Sequence, residues 1–442
     1  MRTGAISLRN LLRRCKTFGN MEQDEVKTKR GLVFKGDIYI WITVLFLCSI
    51  SLIEVFSASS RLTFGKSSFL TPIISHVIHL MIGLAVMYIV HLIHYRWYNF
   101  FPVIMVPVSL ALLAYLWFMS KFSSGAQRWI DMGFFQLQPS EIAKVAVVMA
   151  VAAHLSKLKV DDEHSQSSTF TKIIILTGLF CILIFTENLS TAIILGTTVY
   201  LMMILGGISW RRILGLTGVV AVIFVSAILL FILVPPRTLR DMRFVPARAV
   251  TWQARILDFT NSGSESKVSA YEYSRNTAPE KPQETHANIA IASSHFLGKG
   301  PGNSVERDYL QEASCDFIYA IIIEELGMIG AVFVLIVYIV LLFRIGKLAV
   351  RCTDKYPAYL ALGIGTMFGL QAFINMSVAV GLLPVTGQPL PLISKGGTSI
   401  FMSSFCIGML LGISNTLEKE AAGEQQVMPD MSQSIDNEES NR

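Results

Sequence analysis

Residues 317–343 read FIYAIIIEELGMIGAVFVLIVYIVLLF and directly follow Asp316. A transmembrane helix needs about 20 mostly apolar residues to cross a hydrocarbon core of about 30 Å, so this run is long enough to span a membrane. Its two acidic residues, Glu324 and Glu325, would be costly in lipid unless they are paired or line a cavity. The stretch therefore predicts a membrane-spanning helix that buries polar groups inside a protein bundle.

Similar apolar runs recur along the whole chain. The 442 residues are 52% hydrophobic and only 15% charged, whereas a soluble protein is about 25% charged. This excludes an ordinary soluble domain and predicts an all-α polytopic integral membrane protein with about ten transmembrane helices. The predicted spans are 38–56, 71–93, 99–119, 141–156, 172–187, 188–206, 213–234, 317–343, 358–381 and 393–415.

Connections rich in lysine and arginine alternate along the chain with connections that contain few of these residues. Segment 1–36 alone carries nine of them, and because cytoplasmic loops are enriched in these residues, both termini are predicted to be cytoplasmic. The net charge of +6 is explained in the same way, so no nucleic-acid partner is expected. Segment 1–36 has no apolar core, which argues against a cleaved signal peptide. Met1 and Met21 both remain possible starts.

These patterns divide the chain into three parts. Residues 1–36 form a basic cytoplasmic segment, residues 37–416 form the membrane domain, and residues 417–442 are predicted to be a disordered cytoplasmic tail. The membrane domain contains one long extracytoplasmic loop, 235–316, between the seventh and eighth helices. A loop of that length is usually functional or disordered. The six cysteines form no CxxC pattern, so neither a disulfide framework nor a zinc site is expected.

Glu141 and Lys144 are the first candidate functional residues. They are three positions apart and therefore share one face of a helix. Pro139 suits the first turn of that helix, and Ser140 is a candidate cap. The pair is either a structural ion pair or part of a polar cavity.

Asp316 is the second candidate. It lies where the long outer loop becomes a helix, at the boundary between water and membrane, and is either a helix cap or a general base. The preceding loop has glycines that permit tight turns, and its Lys299 and Arg307 could meet phosphate. It lacks the GK[ST] ending of a Walker A loop.

Two further polar features lie near the ends of the last spans. Asn375 is a polar residue inside an apolar run, either holding helices together or lining a groove. Residues 384–399 contain a Pro- and Gly-broken entry into the last helix, where Ser394 and Lys395 are predicted to line a cavity.

Taken in order, several motifs resemble the SEDS family of bacterial cell-wall proteins, which includes FtsW, RodA and SpoVE. The resemblance covers about residues 37–415. It is carried by SASS at 57–60, GAQRWID at 125–131, QPSEIAK at 138–144, GKGPGNS at 298–304 with DFIYAIIIEELG at 316–327, and GLLPVTGQPLPLISKGGTS at 381–399.

This resemblance implies polymerisation of glycan strands from lipid II on the outer face of the cytoplasmic (inner) membrane. It also implies that Asp316 is the essential aspartate and that Glu141 and Lys144 are a functional pair. The implied partners are a class B penicillin-binding protein and divisome proteins, since the SASS motif and the basic N-terminal extension favour the division branch and a septal location. A RodA-like elongation polymerase is the alternative within the family.

The chain departs from the family pattern at three places. Glu187-Asn-Leu-Ser-Thr191 stands where Pro-Asp-Leu-Gly-Thr is usual, Gln311 replaces a proline, and Lys395 replaces a tyrosine.

A glycosyl transfer needs a base for the acceptor hydroxyl and cations for the leaving diphosphate. We hypothesise that Asp316 is the base. No covalently bound cofactor is expected, and Mg²⁺ or Mn²⁺ is the ion that this chemistry would admit. Substrate binding is assigned to Glu141, Lys144, Arg243, Arg248, Lys299, Arg307, Ser394 and Lys395.

Two other functions fit the same residues. A lipid II flippase could use a polar pathway past Glu141, Lys144, Glu324 and Asn375. A scaffold that recruits a transpeptidase would need no chemistry of its own. The enzyme is favoured because the polar motifs lie on the outer side and no inverted repeat is evident.

Overall fold

The computed structural model describes residues 35–58, 71–122, 129–131, 136–233, 282–310 and 316–439, and these are mainly helical. The helices, in chain order, are α1 Ile38–Ala58, α2 Thr71–Leu92, α3 Phe101–Phe122, α4 Pro139–Ser156, α5 Glu163–Phe185, α6 Leu189–Leu205, α7 Trp210–Leu233, α8 Pro282–Ser293, α9 Ile318–Arg351, α10 Lys355–Ala379 and α11 Gly397–Glu439.

Each of the ten predicted spans overlaps one of these helices, which confirms the predicted fold class. Among the described residues, eight helices are long and apolar enough to cross a membrane. Helix α6 is a shorter apolar helix of 17 residues, and α7 has 24 residues. Helix α8 has no counterpart among the predicted spans. It lies in the long connection between α7 and α9.

Two helices extend beyond their apolar runs. Helix α5 begins at Glu163, nine residues before the predicted start at 172, because the side chain of Asp162 accepts a hydrogen bond from the backbone N–H of His164 and caps the polar first turns. Helix α11 continues to Glu439, where a disordered tail was predicted from 417 onward. That segment contains Ala, Glu, Lys and Gln, which are good helix formers.

The buried centre of the bundle is built around α4, which packs against α3, α10 and α11. Helix α9 packs against α1 and α10, and α11 packs closely against α2. Small residues make the α2–α11 approach possible, since a Cβ atom on Gly408 would crowd the carbonyl of Met87. Apolar side chains on the outward faces of α1, α3, α7 and α9 remain exposed, as expected for helices that face lipid.

Several short elements lie beside the N-terminal parts of α9 and α11. Strands β1 (Ile130–Asp131) and β2 (Gln136–Leu137) form a small antiparallel hairpin, and residues Glu306–Asp308 form a 3-10 turn. Helix α8 packs against α9. We call this end of the bundle the outer face, following the Lys and Arg distribution. It is the face that carries the candidate functional residues.

Candidate functional site

The start of α9 is shaped by a break within that helix. Gly327 has φ 70° and ψ −169°, a backbone conformation that only glycine adopts readily. The break frees the carbonyls of Glu324 and Glu325, which accept hydrogen bonds from the backbone N–H groups of Lys299 (3.0 Å) and Gly300 (2.8 Å). The glycine-rich loop is thereby attached to the middle of a membrane helix.

The side chain of Glu324 binds the same loop and is fully buried. Its Oε1 lies 2.6 Å from Lys299 Nζ and accepts a hydrogen bond from Val305 N at 3.0 Å. Its Oε2 accepts a hydrogen bond from the Ser304 hydroxyl. This confirms that the glutamate is paired, as its depth in an apolar run requires.

Glu325, also fully buried, connects the loop to α1. It accepts hydrogen bonds from Gly302 N at 2.9 Å and from the Ser57 hydroxyl. Arg307 lies beside it, with Nη1 3.8 Å from Glu325 Oε1. The same nitrogen donates to Ser57 Oγ and to the Gly302 carbonyl, both at 2.7 Å. Two glutamates and two cations thus form one neutral cluster.

Asp316 lies two residues before the first residue of α9 and is half-buried. Its backbone carbonyl accepts a hydrogen bond from Asn375 Nδ2 at 3.0 Å. A buried side chain of α10 therefore holds the backbone of the predicted catalytic residue.

Asn375 belongs to a longer chain of buried amides. Its Nδ2 also donates to the Gln388 carbonyl at 2.8 Å. The Gln388 side chain in turn donates to Thr191 Oγ1 at 2.9 Å and approaches Asn188 Oδ1 at 3.5 Å. The connection before α11 is thus linked both to Asp316 and to the first turn of α6.

Glu141 and Lys144 lie in the first turns of α4, as predicted. Lys144 Nζ is 2.7 Å from Glu141 Oε1, and both side chains are almost fully buried. Pro139 is the first residue of the helix, but the candidate cap was wrong. Gln138 occupies the N-cap position without a side-chain cap, and Ser140 lies inside the helix.

The structure also brings the α4 and α11 motifs together. Gln138 N donates to Thr398 Oγ1 at 3.0 Å, and that hydroxyl donates to the Gln136 carbonyl at 2.7 Å. Just before α11, Ser394 is buried, and its Oγ accepts a hydrogen bond from Leu390 N at 2.8 Å. Lys395 is half-buried. Arg243 and Arg248 lie outside the described residues.

Sequence reasoning missed several members of this region. Ser57 was noted only as part of a motif, and Gln388 and Asn188 were not proposed as site residues. Glu54 was also missed. It is fully buried, and no hydrogen-bond partner for its carboxyl oxygens occurs among the described residues. The sequence did contain a signal for Glu54, because a carboxyl group within an apolar membrane-spanning run is a functional candidate by default.

The described part of the chain contains no group of three or more His, Cys, Asp or Glu side chains placed to hold a metal ion. Glu141, Glu324 and Glu325 each face a cation of the protein itself.

Comparison with known proteins gives a consistent picture. The family model of the cell cycle proteins FtsW, RodA and SpoVE matches residues 37–419. The chain is 31% identical to the "Probable peptidoglycan glycosyltransferase FtsW" of Nitrosomonas europaea over 386 residues, covering 85% of this chain and 92% of the relative. It is 32% identical to the protein of the same description from Escherichia coli O157:H7 over 319 residues, covering 71% and 70%.

Solved structures share the fold. A chain from "Structural coordination of polymerization and crosslinking by a peptidoglycan synthase complex" superposes with a TM-score of 0.65 at 20% identity, covering 86% of this chain and 98% of that one. Thermus thermophilus RodA superposes with a TM-score of 0.56 at 20% identity, covering 86% and 96%.

Proposed function

Because the chain belongs to the FtsW, RodA and SpoVE family of cell cycle proteins, we propose that it is a peptidoglycan glycosyltransferase that polymerises lipid II into glycan strands. The relatives at about 30% identity over most of the chain carry that activity in their names. The proposed site lies at the outer face of the cytoplasmic membrane, around Asp316.

The observation that carries the proposal is the placement of Asp316. It is a half-buried carboxylate at the start of a membrane helix, with its backbone carbonyl held by Asn375. A general base must be fixed close to the hydroxyl whose proton it takes. Attachment of this backbone to α10 and of the preceding loop to α9 supplies such a fixed position.

In the proposed step, a hydroxyl oxygen of the acceptor sugar attacks the anomeric carbon of the donor. A new glycosidic bond forms, the bond from the anomeric carbon to the phosphate oxygen breaks, and the lipid diphosphate leaves with the electron pair. The Asp316 carboxylate takes the hydroxyl proton. Direct attack without a covalent sugar intermediate inverts the anomeric configuration.

Cations are proposed to hold the diphosphate. Two of them already have carboxylate partners in the protein. Lys299 and Arg307 already face Glu324 and Glu325, so they would contact phosphate while keeping or exchanging these partners. The other candidate cations are Lys144, Lys395, Arg243 and Arg248. Glu141 and Ser394 are proposed to contribute polar groups to the same substrate site. A Mg²⁺ or Mn²⁺ ion would be bound chiefly by substrate phosphate oxygens, as Mg²⁺ commonly is.

We further propose a septal role with a class B penicillin-binding protein and other divisome proteins. Support comes from the many relatives described as FtsW and from the structural likeness to a chain of a peptidoglycan synthase complex. We also propose that both termini lie in the cytoplasm, on the basis of the Lys and Arg distribution. The polar residues of the flippase alternative have internal partners: Glu141 with Lys144, Glu324 with Lys299, and Asn375 with two backbone carbonyls.

The test compares wild type with Asp316→Asn in a purified complex with the penicillin-binding partner, supplied with fluorescent lipid II. A positioned base contributes about 10²- to 10⁴-fold, so the variant should lose at least about a hundredfold in polymerisation rate. Asp354→Asn is the matched control, because Asp354 also precedes a helix but lies at the opposite end of the bundle.

The control should polymerise at the wild-type rate. Wild-type activity in Asp316→Asn would refute the assignment of Asp316 as the general base. Absence of polymer from a folded wild-type complex would contradict the enzyme and favour the flippase or scaffold functions.

A further inference from the structure

Three amide side chains on the outer face belong to one hydrogen-bonded chain that reaches Asp316. Asn188 precedes α6, Asn375 lies in α10, and Gln388 lies in the connection before α11. They are 4%, 2% and 2% exposed, respectively. Such deep burial means that each amide must find its hydrogen-bond partners within the protein or in a bound molecule.

Each of these amides uses only one of its two ends. Asn375 donates through Nδ2 to the Asp316 and Gln388 carbonyls. Gln388 donates through Nε2 to Thr191 and Asn188, and Asn188 Oδ1 also accepts from Thr191 N at 3.3 Å. Within the described ranges, Asn375 Oδ1, Gln388 Oε1 and Asn188 Nδ2 have no hydrogen-bond partner.

The contacts also fix which end of two amides is unused. Rotating Asn375 would place its oxygen against two carbonyl oxygens, and rotating Asn188 would remove the acceptor from Thr191 N. Amide orientation is assigned from such networks. Asn188 Oδ1 then faces the Gln388 amide at 3.5 Å, which favours Nε2 on that side and leaves Gln388 Oε1 unused. The unused atoms are therefore two acceptors and one donor. Leaving a buried polar atom without a partner costs free energy, so three in one connected cluster point to a bound polar group.

On the basis of the proposed function, we infer that Asn188, Asn375 and Gln388 bind an uncharged hydrogen-bonding group of the sugar substrate, a hydroxyl or an acetamido group. Either group can donate to an amide oxygen and accept from Asn188 Nδ2. The cluster contains no cation: its members are neutral amides, the Thr191 hydroxyl and backbone carbonyls, so it suits an uncharged group better than an anionic phosphate. The hydrogen bond from Asn375 to the Asp316 carbonyl places the bound group next to the proposed base.

The inference is specific to this chain in one respect. Asn188 stands at the position of the aspartate in the usual Pro-Asp-Leu-Gly-Thr pattern, so a neutral amide replaces a carboxylate. An amide brings a donor where a carboxylate offers only acceptors. This side chain can therefore accommodate the oxygen of a sugar hydroxyl or acetamido group.

The test measures the dissociation constant for lipid II in the Asp316→Asn background, so that binding is separated from turnover, together with the thermal midpoint of unfolding. Gln388→Met keeps the approximate volume and removes the amide. We expect binding at least about tenfold weaker, equivalent to about 1.4 kcal/mol. The midpoint should fall less than in the control variant, because the substitution breaks the hydrogen bond to Thr191 but also removes a buried oxygen without a partner.

Gln166→Met is the matched control. Gln166 is also buried, but both ends of its amide are used: Nε2 donates to the Val160 carbonyl at 2.6 Å, and Oε1 accepts from Ser209 N at 3.1 Å and from Arg212 at 3.3 Å. It lies at the opposite end of the bundle. The same substitution there should lower the thermal midpoint and leave lipid II binding unchanged.

Unchanged lipid II binding in Gln388→Met would overturn the inference, whatever happens to the thermal midpoint, and would leave the cluster as a site for ordered water. If Gln388→Met does not fold, Gln388→Ala is subject to the same two measurements. Binding does not depend on turnover. A wild-type protein that bound lipid II through Gln388 without polymerising it would refute the proposed activity and leave this inference standing.

Discussion

The ion pair of Glu141 and Lys144 is the clearest case of a single contact whose energetics can be argued. Both side chains are almost fully buried, and their charged atoms are 2.7 Å apart. Taking two charges out of water costs several kcal/mol per ion, which their mutual attraction repays only while both are present. The pair can therefore be important for activity without adding net stability.

We predict that Lys144→Met destabilises the protein by about 3–5 kcal/mol, because it leaves the Glu141 carboxylate buried without its cation. The double variant Glu141→Gln/Lys144→Met should recover most of that loss. The measurement is thermal and denaturant unfolding in detergent, with polymerisation assayed in parallel. If the Glu141–Lys144 pair has a role in activity, the double variant should fold but should not polymerise lipid II.

Glu163→Gln is the control for this experiment. Glu163 forms the exposed pair with Arg212 at 3.9 Å, and water and salt screen such contacts. Its loss should leave the thermal midpoint unchanged. A double variant as unstable as Lys144→Met would contradict the argument from burial.

Helix α9 depends on one glycine for its contact with the loop. A Cβ atom on Gly327 would overlap Gly298 N and the Phe296 carbonyl, and the positive φ disfavours any other residue. Both backbone hydrogen bonds from Lys299 and Gly300 depend on this break. The orientation of the loop that precedes Asp316 therefore depends on Gly327.

Gly327→Ala should cost about 1–3 kcal/mol in backbone strain alone and should also loosen the loop. We expect a lower thermal midpoint together with a loss of polymerisation. Gly346→Ala in the same helix is the matched control, since a Cβ there would meet nothing within 4 Å. Alanine favours helix by about 0.5–1 kcal/mol over glycine, so this variant should be at least as stable as wild type. Equal behaviour of the two variants would contradict the role of the break.

The helices could be predicted from the sequence because the length of an apolar run is a local property. The Glu141–Lys144 contact could be predicted for the same reason, since spacing on one helix determines it. The partners of Glu324 and Glu325 could not. They come from residues 299–307 and from Ser57, and neither spacing nor hydropathy encodes a contact between such distant segments. The amide chain through Gln388 was missed for the same reason.

The start of α1 contacts α11 at the end of the bundle opposite Asp316. Asp37, next to the start of α1, donates through its N–H to Ser414 Oγ of α11 at 2.9 Å. Its carboxylate binds Arg344 of α9, with Nη2 at 2.7 Å. These contacts require the first and last membrane helices to present their terminal segments on the same side. The distribution of Lys and Arg predicts that this side is the cytoplasm.

Thiol labelling tests this arrangement for the whole molecule. We predict that Val305→Cys, on the exposed outer loop, reacts with a membrane-impermeant maleimide on intact spheroplasts. Thr353→Cys, between α9 and α10, should react only after the membrane is opened. Labelling of Thr353→Cys in intact spheroplasts would contradict the orientation.

The native neighbour of Thr353 provides an internal reference within the same experiment. Burial, together with the nearby acids Asp354 and Glu420, raises the pKa of the Cys352 thiol from 9.0 to about 12. Because the thiolate is the reactive form, its fraction at pH 7–8 falls about a thousandfold relative to an ordinary thiol, and it should recover only as the pH approaches 12. Mass spectrometry of the peptide that carries Cys352 should therefore find little modification at pH 7.5, even in opened membranes. Rapid modification there would mean that the Cys352 side chain itself is open to water, and its packing would have to be revised.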